Sequence, residues 1–206
     1  TGYTVGKNGI ILKTTNAGNN WLNLNSGTIR YLRSVYFIND NVGYVVGDTG
    51  TILKTTNAGL NWIVLSNGEN TNLQSVSFKD LNTGLIGGNG KIFRTSNGGI
   101  NWNITYTTAL LYEHNGIQFN NLNRVVVVGE NGTILRSTNN GLNWNAQSST
   151  GNSLYSVSFS DSLNGTAVGT GGRIRRTTDG GITWNDQTSG TVNQFYAVKM
   201  FNFNSA

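Results

Sequence analysis

Short apolar segments alternate with polar turns along the whole chain. Four kinds of segment recur in a fixed order: one of the SVxF type, one of the GYVVG type, one of the TILKTT type and one that opens at a tryptophan. Clusters of Gly, Asn and Asp separate these segments, as hairpin turns require. No stretch keeps the apolar period of a helix. The pattern therefore predicts an all-β chain assembled from units of four short strands.

The four-segment unit occurs five times. A tryptophan stands at the same place in every copy, and successive tryptophans are 40 to 42 residues apart. The five are Trp21, Trp62, Trp102, Trp144 and Trp184. The copies span approximately 2–42, 43–83, 84–124, 125–164 and 165–206. Four strands in about 40 to 45 residues are typical of a propeller blade. We therefore predict a five-bladed β-propeller of four-stranded antiparallel blades, forming a single domain over 1–206.

The two ends of the chain read as parts of one unit. The sequence opens at the second strand of a copy and ends just after a first strand, YAVKM at 196–200. We expect residues 195–201 to complete the blade begun at 2–25, because closing the ring removes exposed sheet edges. An open fragment of a longer repeat array remains the alternative.

The octet that ends at each tryptophan carries the clearest motif. The five octets read TTNAGNNW, TTNAGLNW, TSNGGINW, STNNGLNW and TTDGGITW. They resemble the Asp-box, or BNR repeat, in which Ser or Thr, Asp, Gly and Thr alternate with free positions before the Trp. The fifth octet, Thr177–Trp184, matches completely. The third position is held by Asn16, Asn57, Asn97, Asn139 and Asp179.

The box has a structural interpretation that needs no chemistry. A short Asp or Asn side chain closes a turn by accepting backbone N–H groups. The glycine two positions later supplies a positive φ. Each tryptophan covers the outer core of its blade. We therefore assign the box residues and the five tryptophans to the structure.

The text that precedes each box, VGxxGxIL(K/R)TT, is similar to that of the photosystem II assembly and stability factor family. The resemblance covers essentially all 206 residues and implies a β-propeller. Known members usually have seven blades, and they carry an arginine patch implicated in docking to a membrane-protein client. By this resemblance Arg94, Arg136 and Arg176 fit the patch best, whereas Lys13 and Lys54 keep the charge and lose the planar fork.

Composition restricts the possible chemistry. The chain has no Cys and one His, which excludes a disulfide framework and a cysteine metal site and argues against a zinc centre. The longest apolar run, near Val125–Val128, is far too short to span a membrane. We expect no metal, no cofactor and no membrane insertion. Strands rich in Asn, Thr and Gly with little charge suit an extracytoplasmic protein, whether secreted, cell-surface, periplasmic or, in a photosynthetic organism, lumenal.

No catalytic centre is evident. Glycosidases on propellers need paired carboxylates or a tyrosine backed by an acid, and none of the nine Asp and Glu residues stands in a recognisable acid pair. Tyr112, Glu113 and His114 are adjacent in sequence, but neighbours along a strand point their side chains apart. We predict that the protein is not an enzyme.

One position just before the box carries a cation in every copy. The five are Lys13, Lys54, Arg94, Arg136 and Arg176. Their number equals the net charge of +5. Because the strand period places them at one height on each blade, we expect a ring of cations, which Arg173 and Arg175 thicken. Such a ring attracts anionic partners. The alternative is that each cation pairs with a neighbouring turn, such as Asp48 or Glu130.

The leading functional hypothesis is a protein-interaction scaffold that docks an anionic protein partner, including a membrane-associated client, through these cations. The alternative is a lectin-like propeller that binds glycans on Tyr31, Tyr106, Tyr112 and Tyr155. A relic of a glycoside hydrolase is a third hypothesis. Basic runs interleaved with aromatics are absent apart from RIRR at 173–176, which argues against nucleic acid.

Overall fold

The regular elements of the computed structural model are β-strands and short 3-10 turns. The structure describes residues 1–120, 123–147 and 151–201. The predicted copies also include 121–122, 148–150 and 202–206, which lie outside the described residues. Within the described residues nineteen strands form five sheets. The prediction of an all-β chain with five repeated units is therefore confirmed.

In each sheet, strands that follow one another in sequence are neighbours. The first sheet contains β1 (Gly2–Val5), β2 (Ile11–Thr14) and β3 (Leu22–Leu24). The second contains β4 (Leu32–Phe37), β5 (Gly43–Gly47), β6 (Ile52–Thr55) and β7 (Ile63–Leu65). The third contains β8 (Leu73–Phe78), β9 (Gly84–Gly88), β10 (Lys91–Thr95) and β11 (Asn103–Thr107). The fourth contains β12 (Gly116–Phe119), β13 (Val125–Val128), β14 (Ile134–Ser137) and β15 (Asn145–Ala146). The fifth contains β16 (Leu154–Phe159), β17 (Gly165–Gly169), β18 (Ile174–Thr177) and β19 (Asn185–Gln187).

The described chain divides into two compact units. The first holds Thr1–Asn89 and Phe93–Ile104, and the second holds Gly90–Ile92 and the described residues from Thr105 onward. The prediction of a single domain stays a prediction. No helix among the described residues is both long and apolar enough to cross a membrane.

A repeated aromatic pair forms much of the core. The phenylalanine that ends the first strand of a sheet meets the box tryptophan of the same sheet edge-on, with ring centroids 6.0 to 6.1 Å apart and planes at 83°. The pairs are Phe37 with Trp62, Phe78 with Trp102, and Phe159 with Trp184. Edge-to-face packing is a favoured arrangement of aromatic rings. In these three sheets the SVxF segment and the box thus build one aromatic cluster.

The 3-10 turns join the second and third strands. They span Lys7–Gly9, Asp48–Gly50, Glu130–Gly132 and Thr170–Gly172. The middle residue of each turn has a positive φ, between 52° and 66°. The third copy is one residue shorter in sequence, and its described residues 89–90 make a tighter turn without a 3-10 helix.

The segment 195–201, for which the sequence predicts a strand, has no regular strand structure. Its backbone is nevertheless anchored as a first strand is. The Phe195 N–H donates to the Gly169 carbonyl at 3.0 Å, as the Leu154 N–H at the start of β16 donates to the Gly129 carbonyl at 2.9 Å.

The C-terminal end of the segment 195–201 makes a contact that also has a counterpart between β16 and β12. The Met200 N–H donates to Ser158 Oγ at 2.9 Å, as the Phe159 N–H donates to Gln118 Oε1 at 3.0 Å. The segment therefore lies along β16 where the first strand of a further sheet would lie. The first sheet has three strands in the described residues, so its completion by 195–201 is not confirmed and stays a prediction.

Candidate protein-interaction surface

The box residues lie in the turn between the third and fourth strands. In the second copy, Asn57 Oδ1 accepts hydrogen bonds from the Thr55 hydroxyl at 3.0 Å and the Asn61 N–H at 2.9 Å. Thr55 Oγ1 in turn accepts the Gly59 N–H at 2.9 Å. The same bonds recur around Asn16, Asn97, Asn139 and Asp179. The side-chain oxygen at the third position is thus the acceptor that closes each turn.

The five tryptophans differ in exposure. Trp102 and Trp184 are each 8% exposed, and Trp62 and Trp144 are half-buried. Trp21 is 45% exposed. The first sheet has no first strand among the described residues, so no phenylalanine of its own sheet covers this ring.

Asp179 is the one box residue in the described structure with a carboxylate at the third position. Partial burial acts to raise the pKa of Asp179, but hydrogen bonds from Thr183, Thr177 and Ile182 outweigh it, and the pKa falls to about 2. The folded state therefore favours the charged form of this side chain.

We expect Asp179→Asn to remove a pH-dependent part of the stability. The folded pKa of Asp179, about 2, lies below the value of about 3.9 for an unfolded Asp. The stabilisation is therefore complete above about pH 4 and is lost as the pH falls towards 2. Urea unfolding between pH 7 and pH 2 measures it: the free energy of unfolding of the wild type should fall more steeply than that of the variant. Equal slopes would contradict the assignment.

Three of the five repeated cations bind the next box along the chain. Each donates a hydrogen bond to the backbone carbonyl of the fourth box residue, at 2.8 to 2.9 Å. The pairs are Lys13 with Ala58, Lys54 with Gly98, and Arg136 with Gly180. The side chains therefore link neighbouring sheets, and their charged ends lie beside the box turns.

The two lysines have matching surroundings. Lys13 Nζ lies 5.6 Å from the ring centre of Tyr3, and Lys54 Nζ lies 5.4 Å from that of Tyr44. Both lysines are half-buried and form no ion pair with the described residues. Burial lowers the pKa of Lys54, since desolvation disfavours the charged form.

The three arginines at the repeated cation position differ from one another in exposure and in hydrogen bonding. Burial lowers the pKa of Arg136, Arg124 acts in the same direction, and Asp179 opposes them. Arg94 is half-buried on β10, and Arg176 is exposed on β18. Arg176 forms no hydrogen bond or ion pair with any residue in the ranges that the structure describes.

Arg173 and Arg175 lie beside one acid. Arg173 Nη2 is 3.0 Å from Asp186 Oδ1, and Arg175 Nε is 3.5 Å from the same oxygen. Arg175 is buried and donates to the Trp184 carbonyl at 2.8 Å. Burial lowers the pKa of Arg175, Asp186 opposes it, and Arg173 adds to it.

A further cationic cluster, which sequence reasoning missed, surrounds Tyr31. The Arg33 guanidinium lies 4.7 Å from the centre of the Tyr31 ring and Lys7 Nζ lies 5.9 Å from it. Arg33 also pairs with Asp48. These cations do not recur at one repeat position, so the repeat pattern carried no signal for them.

The four tyrosines proposed as sugar platforms have different surroundings. Tyr106 and Tyr112 line one cavity of about 150 Å³ together with His114. Tyr155 stacks on Tyr196 with centroids 5.3 Å apart. Tyr31 faces cations. Among the described residues, no group of three or more His, Asp or Glu side chains could hold a metal ion.

Comparison with known proteins identifies one family. The sequence model described as "Photosynthesis system II assembly factor YCF48" matches residues 22–153. No curated protein matches the chain.

Solved structures share the fold at low identity. YCF48 from Cyanidioschyzon merolae is similar with a TM-score of 0.66 and 19% identity, over 90% of this chain and 68% of that one. A structure described as YCF48 bound to D1 peptide has a TM-score of 0.50 and 17% identity, over 89% and 76% of the two chains. An ancestral GH74 enzyme has a TM-score of 0.64 and 20% identity, over 74% of this chain and 23% of its own. The fold is thus that of a BNR-type β-propeller protein.

Proposed function

Because this chain belongs to the photosynthesis system II assembly factor YCF48 family, we propose that it is a non-catalytic scaffold that docks an anionic protein partner. The docking groups are the cations of the repeated position, with Arg173 beside them. That position is held by Lys13, Lys54, Arg94, Arg136 and Arg176. Arg175, which the sequence also placed in this set, is buried and donates to the Trp184 carbonyl, so it is not a docking group. The proposal includes a membrane-associated partner and an extracytoplasmic location.

The observation that carries the proposal is that Lys13 and Lys54 are half-buried charges without an ion pair among the described residues. An ammonium group has three N–H donors, and the box carbonyl takes one of them. No carboxylate among the described residues accepts a hydrogen bond from the two remaining donors of either ammonium. A carboxylate of a partner would supply the missing compensation. The box carbonyl and the tyrosine ring hold each ammonium in place before the partner arrives, which lowers the entropic cost of binding.

The known relatives support protein binding as the activity. One similar structure is described as YCF48 bound to D1 peptide. We therefore use D1 peptide as the probe.

We expect the double variant Lys13→Met, Lys54→Met to bind D1 peptide at least about tenfold more weakly than the wild type, as loss of charge-assisted hydrogen bonds implies. Methionine keeps most of the apolar stem and removes the charge. Fluorescence anisotropy at low and high salt measures the effect. The matched control, Lys7→Met, Lys199→Met, loses the same charge at positions outside the repeated set and should bind as the wild type does. Equal binding by all three proteins would contradict the proposal.

We also propose that residues 195–201 pair with β1. The position of this segment along β16 is that of a first strand, and β1 is a second strand without a partner on one edge. From the alignment of YAVKM at 196–200 with RSVYF at 33–37, we expect Met200 to take the position of Phe37 in this pairing.

The absence of native cysteine allows a clean test of this pairing. The register Val35 to Val45 in the second sheet corresponds to Val198 opposite Thr4. We expect Val198→Cys with Thr4→Cys to form a disulfide within the monomer under mild oxidation, because opposed strand residues lie within disulfide reach. The pair Lys199→Cys with Thr4→Cys, shifted by one residue, should not form it. Disulfide-linked dimers alone, or no disulfide, would contradict the pairing.

A second candidate function is glycan binding in the Tyr106–Tyr112 cavity. The observation in its favour is that two of the four candidate tyrosines meet there. Glycan-array binding that Tyr112→Ala abolishes would support it, and no array signal would remove it.

A further inference from the structure

The outer strand of a sheet and the box of the next sheet border a groove. One such groove, of about 350 Å³, lies in the first compact unit (Thr1–Asn89 and Phe93–Ile104). It is lined by Leu22 and Leu24 of β3, Leu60 of the second box and the Lys13 side chain. Leu22 is 64% exposed and Leu60 is 73% exposed. Apolar side chains that line one exposed groove together are a feature of binding surfaces.

The same arrangement occurs between the second sheet and the third box. A Cβ added at Gly99 would lie 3.0 Å from Leu65 Cδ1, as one added at Gly59 would lie 2.8 Å from Leu24 Cδ1. The two boxes therefore seat on the preceding sheet in the same way. Ile63 and Ile100 take the positions of Leu22 and Leu60, and they are 55% and 72% exposed.

The groove positions differ in the second unit. Leu22 is the residue directly opposite Lys13, and Ile63 is directly opposite Lys54. The corresponding residue opposite Arg136 is Asn145, although Ile182 of the next box is exposed as before. Among these three grooves, an apolar residue directly opposite the cation thus occurs only in the two of the first compact unit.

Each apolar groove combines a hydrophobic wall with a fixed cation. Lys13 lines the first groove, and Lys54 holds the same register in the second. Neither ammonium has a carboxylate partner among the described residues. A ligand that matches this surface in shape and charge is an extended segment with a bulky apolar side chain next to a carboxylate. The apolar side chain would anchor the segment in the groove, and the carboxylate would pair with the lysine and so fix the position of the segment along the groove.

We propose that the grooves Leu22–Leu60 and Ile63–Ile100 bind an extended peptide of the partner in which a Leu-, Ile- or Phe-like side chain is close to a carboxylate. This inference rests on the proposed docking function and adds the apolar half of the recognition. The two successive grooves would bind two such elements of one partner, and the linked contacts would raise its overall affinity.

A random dodecapeptide library displayed on phage tests the chemistry directly, because it offers acidic and apolar residues in every order and spacing. We expect the wild type to enrich sequences that place an acidic residue within a few positions of a bulky apolar one. A synthetic peptide of the enriched sequence then serves as the probe in anisotropy measurements. Failure to enrich any sequence, or enrichment of sequences without acids or without bulky apolar residues, would overturn the inference.

The chain supplies its own matched variants. Asn at the position opposite the cation already occurs in β15 and β19, as Asn145 and Asn185. Leu22→Asn with Ile63→Asn should therefore keep the fold, checked by circular dichroism and thermal unfolding, and weaken the selected peptide at least tenfold. The reverse change, Asn145→Leu, should increase the amount of peptide bound.

The outcomes separate the two proposals. Loss of binding with Lys13→Met, Lys54→Met but not with Leu22→Asn, Ile63→Asn would overturn the grooves and leave the cationic docking in place. Unchanged binding by both double variants would overturn both proposals. Loss with both pairs supports the groove as a combined apolar and anionic site.

Discussion

Replacing Trp102 by Ala is expected to destabilise the protein by about 3 to 5 kcal/mol, the range observed for large aromatic side chains removed from cores. Trp102 is 8% exposed and meets Phe78 edge-on at 6.0 Å. Its removal leaves a cavity, because the hydrogen-bonded strands around it cannot readily move in to fill the space. Urea unfolding followed by circular dichroism measures the loss.

Two variants control for this interpretation. Ile100 lies two positions earlier in the same box and is 72% exposed, so Ile100→Ala should change the stability by less than about 0.5 kcal/mol. The Trp102 indole N–H is buried and has no hydrogen-bond partner in the described structure. Trp102→Phe loses no hydrogen bond and keeps an aromatic ring in the same place. It should therefore destabilise the protein less than Trp102→Ala does. Similar losses for Ile100→Ala and Trp102→Ala would contradict the described packing.

Replacing Gly50 by Ala is the second change with a large expected effect. Gly50 ends the VGxxG turn with a φ of +71°, and an added Cβ would overlap the Glu69 carbonyl oxygen. An L-residue in this backbone region costs about 1 to 2 kcal/mol, and forced contact with a backbone atom adds about 1 to 3 kcal/mol. We expect a total loss of about 2 to 5 kcal/mol, measured by thermal or urea unfolding.

Gly68 is the matched control for Gly50. Its φ is +75°, and an added Cβ would meet no atom within 4 Å. Gly68→Ala therefore carries the backbone cost alone, and the difference between the two variants measures the clash with Glu69. If Gly50→Ala were no worse than Gly68→Ala, the turn would not pack against the following loop as described.

The repeat pattern predicted local structure well because turns and strands depend on residues close in sequence. The all-β class, the five sheets, the box turns and the burial of Trp102 and Trp184 all follow from that pattern. Strand alternation also explains why Arg175 is buried, since it stands where other copies have apolar residues.

The pattern could not predict contacts that depend on how one sheet meets the next. The hydrogen bond from Lys54 to Gly98 joins residues 44 positions apart, and no period within one copy encodes it. The cluster of Lys7, Arg33 and Tyr31 was missed because those residues occur once rather than in every copy.

Zero-length cross-linking tests the central claim most directly. Carbodiimide joins an amine to a carboxylate only when the two are in contact, so it reports whether an acid of the partner reaches Lys13 or Lys54. Bound D1 peptide should be cross-linked at one or both of these lysines, as located by mass spectrometry after digestion. Cross-links found only at Lys7, Lys199 or other lysines, or no cross-links at all, would contradict docking through the repeated cation position.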